Sequence, residues 1–176
     1  VVGSLMMQLL RGRQVKQIIT VDTLPLRCQL SQQLGTDEVI NASEVDPVEM
    51  VKQLTGDRGA DLVIDCVGGY AGIKSFEQTQ DMVADKGTIQ LIALYQQQSL
   101  PLYSAKIMQK RLVAGILTEE PPMKTTLRAM ESIEKGIIQV GNMITHQFPY
   151  AEAKEAFDFL WYTPESGLGV LLDWEL

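Results

Sequence analysis

The chain has 176 residues, 45% of them hydrophobic, enough to bury one sizeable core, and nothing in its composition marks a second globular domain. Fifteen Lys and Arg against 22 Asp and Glu give a net charge of −7, which argues against a nucleic-acid binder, since phosphate contacts need clustered cations. No apolar run is long enough to cross a bilayer and no secretory leader is expected. The two cysteines, with no disulfide pattern, fit a reducing compartment, so a cytoplasmic protein is expected.

In chain order, Val1, Val2 and Gly3 read as the end of a glycine-rich loop that opens an apolar helix over 4–10. A short β-branched strand over 17–22 closes on Asp22, nineteen residues after Gly3. A glycine opening a helix and an acid ending the next strand form the second half of a dinucleotide-binding βαβ unit. The first strand and most of the glycine-rich loop are expected to be missing from the chain. A carboxylate at Asp22 accepts both ribose hydroxyls of an adenosine and repels a 2'-phosphate, so NAD is expected over NADP.

Further along, 24–34 reads as a helix ending at Gly35 and 38–41 as a strand. Asp46 and Pro47 start a helix running to Leu54. The near-continuous apolar run 60–69 suits a strand covered on both faces. A helix over 73–83 and strands over 87–94 and 111–117 follow. Strand and helix alternate as in an α/β doubly wound parallel sheet. In the strand order 3-2-1-4-5-6 the missing first strand would lie between those of Val21 and Ile64, so these two should not pair directly. The run 111–117 would be the edge strand, and it carries almost none of the charge that protects an edge, so a covering second subunit is expected.

Asp22 with Arg27, the run Leu34 to Asn41, the run Gly59 to Gly68 and the stretch Ile144 to Pro149 resemble, in register, the zinc-dependent medium-chain alcohol and polyol dehydrogenases. The resemblance implies a Rossmann-like coenzyme-binding domain over 1–145 and a C-terminal tail over 146–176 that returns toward a catalytic domain. It implies that Val2 and Gly3 approach the pyrophosphate, that Asp22 and Arg27 flank the adenosine ribose, and that Val67 and Gly68 pass the riboses. Ile92, Ala93, Leu94 and Leu117 are implied near the nicotinamide through their backbone. The cofactor implied is NAD, with zinc held in the catalytic domain, and the substrate an alcohol or polyol. A homodimer or dimer of dimers is implied, with no nucleic-acid or membrane partner.

One departure stands out, because the family places Lys or Arg where this chain has Gly169, and one phosphate contact is expected to be lost. Neither Cys28 nor Cys66 has a Cys or His at metal-ligand spacing, and His146 is the single histidine. No catalytic residue and no metal ligand is therefore assigned, and these 176 residues alone are expected to oxidise no alcohol. Two alternatives stay open: a zinc-free quinone or enoyl reductase of the same superfamily, against which Asp22 speaks, and a noncatalytic nucleotide-binding or assembly module. The cluster Lys106, Lys110 and Arg111 is read as a solvated helix end.

Overall fold

A computed structural model describes residues 1–96, 98–115 and 119–175. In chain order the elements are α1 (Val2–Gly12), β1 (Ile19–Asp22), α2 (Pro25–Gln33), β2 (Glu38–Asn41), α3 (Pro47–Leu54), β3 (Ala60–Asp65), α4 (Ala71–Met82) and β4 (Val83–Leu91). They continue with α5 (Ser104–Ile107), β5 (Arg111–Ala114), α6 (Pro122–Glu134), β6 (Ile144–Pro149), α7 (Ala153–Tyr162) and β7 (Gly169–Asp173). Every strand pair is parallel, β1 with β2, β3 with β4, β4 with β5 and β6 with β7, and a helix lies between the members of each pair in sequence. Parallel pairing requires such a crossover, which is why strand and helix alternate. The fold is α/β with parallel sheets, as the alternation predicts. Among the described residues β1 and β3 lie in different ladders, as the expected strand order requires.

The chain divides into two compact units, one of residues 1–43 with 120–176 and the other of residues 44–119. In the first, Met7 from α1 packs with Ile18, Leu30, Leu34 and Met143, and Leu5, Leu10 and Leu168 flank this core. Leu168 precedes β7, so both ends of the chain contribute to one core. Polar contacts fix the loop before β2: Asp37 Oδ2 accepts from Ile18 N and from Arg11 Nη2, each at 2.7 Å, and Arg11 Nε donates to Gly35 O at 3.0 Å. The Ile18 amide, then the Arg11 guanidinium, hold the Asp37 carboxyl below the usual carboxylate range.

In the second unit α3 starts as its sequence predicts. Asp46 Oδ1 accepts from Val48 N and Glu49 N at 2.8 and 3.2 Å, and Pro47 fills the first turn. The core is apolar and made of Phe76, Val83, Ile89 and Leu91, with Ile89 fully enclosed. Gly59 turns the chain into β3 at φ +84°, and a Cβ there would lie 2.6 Å from Met82 O, so only glycine fits. The buried Gln80 joins α4 to the following loop, donating to Pro101 O and accepting from Tyr103 N, both at 2.9 Å.

Three expectations need correction. The strand expected over 60–69 stops at Asp65, and it is not covered on both faces, since Leu62 keeps 45% of its surface and Asp61 is exposed. β3 bonds one strand, β4, among the described residues, so one edge of it has no ladder partner to bring covering elements with it. The strand expected from 87 begins at Val83, directly after α4, because Ala60 already pairs with Val83. β5 runs from Arg111 to Ala114, and positions 116–117 of the expected strand lie outside the described residues.

Candidate functional site

The candidate residues form one group in each unit. In the first, α1 opens at Val2 and Gly3, both exposed. Val1 supplies no side-chain cap and no acid stands in the first turn. The leading N–H groups of a helix have no intrahelical acceptor, and with the positive end of the helix dipole they suit an anion.

Asp22 ends β1, half-buried. Its Oδ1 accepts from Thr23 N at 2.8 Å and Leu24 N at 3.1 Å, and among the described residues Oδ2 accepts nothing. Arg27 stands in the first turn of α2, where its Nε is enclosed without a hydrogen-bond partner among the described residues. Asp22 and Arg27 make no ion pair with each other. A carboxylate oxygen and a guanidinium N–H thus both remain to be satisfied close to the end of one strand. The open Asp22 oxygen can accept from a hydroxyl, whereas the Arg27 Nε is enclosed by the protein itself. Cys28 is engaged in the same turn, with its Sγ 3.7 Å from Asp22 O.

In the second unit the exits of β3 and β4 meet. A Cβ on Gly68 would lie 2.8 Å from Leu94 O, and Gly69 N donates to that oxygen at 3.0 Å. The expected residues Val67, Gly68, Ile92, Ala93 and Leu94 are therefore brought together. Val67 is exposed, Ile92 and Ala93 are half-buried, and Leu94 keeps 85% of its surface, so these segments offer backbone edges and apolar side chains to a ligand. Leu117, expected beside them, lies outside the described residues.

Sequence reasoning assigned no role to Asp65, the last residue of β3, which is 2% exposed. Its Oδ1 accepts from Val67 N and Ser75 Oγ, and its Oδ2 from the Tyr95 hydroxyl, each at 3.0 Å. Burial pushes its carboxyl above the usual carboxylate range against the pull of these three donors. Burial and the Asp65 charge raise the Tyr95 hydroxyl and the Cys66 thiol as well, so Cys66 is a poor nucleophile and a poor ligand. The signal in the sequence was a lone acid inside the apolar run from Leu62 to Val67.

The remaining polar residues are engaged structurally. His146 Nδ1 lies 3.1 Å from Thr145 Oγ1 and its ring packs on Phe159 at 4.2 Å. Lys106 pairs with Asp81 at 2.7 Å and Lys110 donates to Gln80 O at 3.1 Å, so two members of the basic cluster are tied to α4. Gly169 has a packing reason, since a Cβ there would lie 2.6 Å from Met143 O. Among the described residues no three His, Cys, Asp or Glu side chains come together as a metal-binding group. No helix among them is long and apolar enough to cross a membrane.

Residues 1–133 match the family described as Zinc-binding dehydrogenase. L-threonine 3-dehydrogenase of Bacillus licheniformis is 26% identical over 159 residues, covering 90% of this chain and 45% of that protein. Sorbitol dehydrogenase of Bacillus subtilis is 26% identical over 142 residues, covering 80% and 38%. A structure of a short chain alcohol dehydrogenase from Escherichia coli CFT073, complexed with cofactor NADH, superposes with a TM-score of 0.82 at 19% identity, covering 98% of this chain and 49% of that one. The chain spans less than half the length of each of these relatives.

Proposed function

Since this chain belongs to the zinc-binding dehydrogenase family, we propose that it supplies the coenzyme-holding part of an NAD-dependent, zinc-type alcohol or polyol dehydrogenase. The observation that carries the NAD reading is the end of β1. Asp22 keeps one carboxylate oxygen free for ribose hydroxyls among the described residues. A 2'-phosphate about 4 Å from that carboxylate would cost roughly 4 kcal/mol per unit charge at an effective dielectric near 20, so NADP is rejected. The NADH held by the Escherichia coli relative of the same fold supports this choice.

In this reading Val2 and Gly3 receive the pyrophosphate at the start of α1, Asp22 and Arg27 hold the adenosine ribose, and Val67 and Gly68 border the ribose path. Ile92, Ala93 and Leu94, with Leu117, present backbone groups to the carboxamide. A bound nicotinamide would supply the hydride-accepting chemistry, and this chain's part would be to orient the ring and exclude water from it. In this reading zinc would be held by residues outside these 176 and would supply polarisation of the substrate hydroxyl. Residues 1–145 are assigned to coenzyme binding. The tail 146–176, with Phe157, Trp161 and Tyr162 exposed on α7, is assigned to contact with the substrate-handling part.

Asp22→Ser in the complete dehydrogenase tests the reading by equilibrium binding of both coenzymes. NAD affinity is expected to fall about tenfold, the worth of one charge-assisted hydrogen bond, while NADP affinity rises. Unchanged dissociation constants for both would overturn it.

We also propose a dimer and a cytoplasmic location. β5 is the outer strand of its ladder and Leu112 on it is exposed, which supports pairing with the same strand of a second copy across a two-fold axis. Light scattering should give a dimeric mass that Val113→Lys lowers to the monomer. The location is supported by the sequence, whose two cysteines form no disulfide-framework pattern.

A further inference from the structure

Among the described residues Asp65 is the one buried carboxylate of the second unit, and every oxygen it owns is used. Beyond the three bonds to its side chain, its main-chain oxygen accepts from Ile92 N at 3.0 Å and Ala93 N at 3.3 Å. Its partners fall on three segments. Val67 N belongs to the exit of β3; Ile92 N, Ala93 N and the Tyr95 hydroxyl belong to the exit of β4. Ser75, on α4, closes the group from behind.

The neighbouring core of Phe76, Val83, Ile89 and Leu91 is apolar, and burying an ionisable acid beside it is expensive. A hydrophobic side chain would suit that core better, were packing all that mattered. What an acid adds is a single small group that accepts from three directions at once.

We propose that Asp65 is a positioning residue, holding the exits of β3 and β4 in register so that Val67, Gly68 and the 92–94 backbone meet the dinucleotide as one surface. The part concerning the dinucleotide rests on the coenzyme reading above. Asparagine can replace the acid in this role: its amide oxygen serves Val67 N and Ser75 Oγ, and its NH2 serves the Tyr95 hydroxyl, which turns to accept. Alanine leaves three donors unbonded, two of them from one segment each.

The experiment measures amide hydrogen exchange and NADH titration on the complete dehydrogenase as wild type, Asp65→Asn, Asp65→Ala and Tyr95→Phe. Asp65→Ala should speed exchange about tenfold at both 67–69 and 92–95 and weaken NADH about tenfold, the size of one lost hydrogen bond per segment, while Asp65→Asn stays within about threefold on both readouts. Tyr95→Phe, which deletes one hydroxyl and keeps the ring, should speed exchange mainly at 92–95, and it decides the matter should Asp65→Ala fail to fold. Opening of one segment without the other in Asp65→Ala, no change at 92–95 in Tyr95→Phe, or no rescue by asparagine would overturn the inference. Linked exchange rescued by asparagine, in a protein whose wild type binds no NADH, would instead sink the coenzyme reading and leave the coupling of the two segments standing.

Discussion

Asp22 and Asp65 are the same residue type in the same topological place, the last position of a parallel strand, and their surroundings assign them opposite duties. Asp22 is half-buried, and among the described residues one of its carboxylate oxygens stays uncommitted, which leaves the acid open to the ligand role proposed for it. Around Asp65 a helix and a second strand exit close in, all its oxygens are taken by the protein, and the acid becomes scaffold. The carboxyl end of a strand offers chemistry; the packing around it decides whether a ligand or the fold receives it.

The comparison breaks most directly in stability. Asp65→Ala should cost about 3 kcal/mol in denaturant unfolding, because buried donors lose their acceptor at about 1 kcal/mol or more each. Asp22→Ala should cost about 1 kcal/mol or less, since Thr23 N and Leu24 N can turn to water. Equal losses at the two sites would erase the distinction between ligand acid and scaffold acid.

A control sits at Asp46, an exposed acid whose oxygen caps α3. Asp46→Ala should cost about 1 kcal/mol, the ordinary worth of a helix cap, and should leave coenzyme affinity untouched. A loss near that of Asp65→Ala would mean that caps, and not burial, set the scale.

The smallest effects are read as signs along pH. Burial raises the Asp65 carboxyl above its ordinary 3.8, so protonation favours the fold; its contribution is present below about pH 4 and lost as pH rises through the raised value. The unfolding free energy of wild type minus that of Asp65→Asn should therefore fall as pH rises above about 4. Asp37 is the mirror case. Its carboxyl is lowered by Ile18 N and Arg11, so its contribution is present above 3.8 and lost as pH falls through the lowered value. Wild type minus Asp37→Asn should accordingly shrink on the acid side, and shrink less in high salt, because the pair is exposed. Parallel trends at the two acids would contradict the assigned environments.

Much of the fold was legible locally. The strand Glu38–Asn41 carries its own β-branched pattern between Gly35 and a turn, and α3 carries both its cap and its proline, so neither needs the rest of the chain for its position. Asp22 was legible as a candidate because the spacing from Gly3 is a property of one βαβ unit. Asp65 was not. Its partners Ser75 and Tyr95 stand ten and thirty residues further on, and nothing near position 65 announces that they return to it.

The sequence by itself determined the alternation of strands and helices, the family membership that this alternation and its motifs bring, and the group of candidate coenzyme contacts, because each rests on short-range spacing and on residue chemistry that does not depend on distant partners. Only the tertiary structure decided that β3 keeps an exposed face at Leu62, that Gly169 is dictated by the nearby Met143 backbone, and that Asp65 is enclosed while Asp22 is not. Exposure and hydrogen-bond commitment are set by which segments arrive from elsewhere in the chain, and a side chain carries no local record of them.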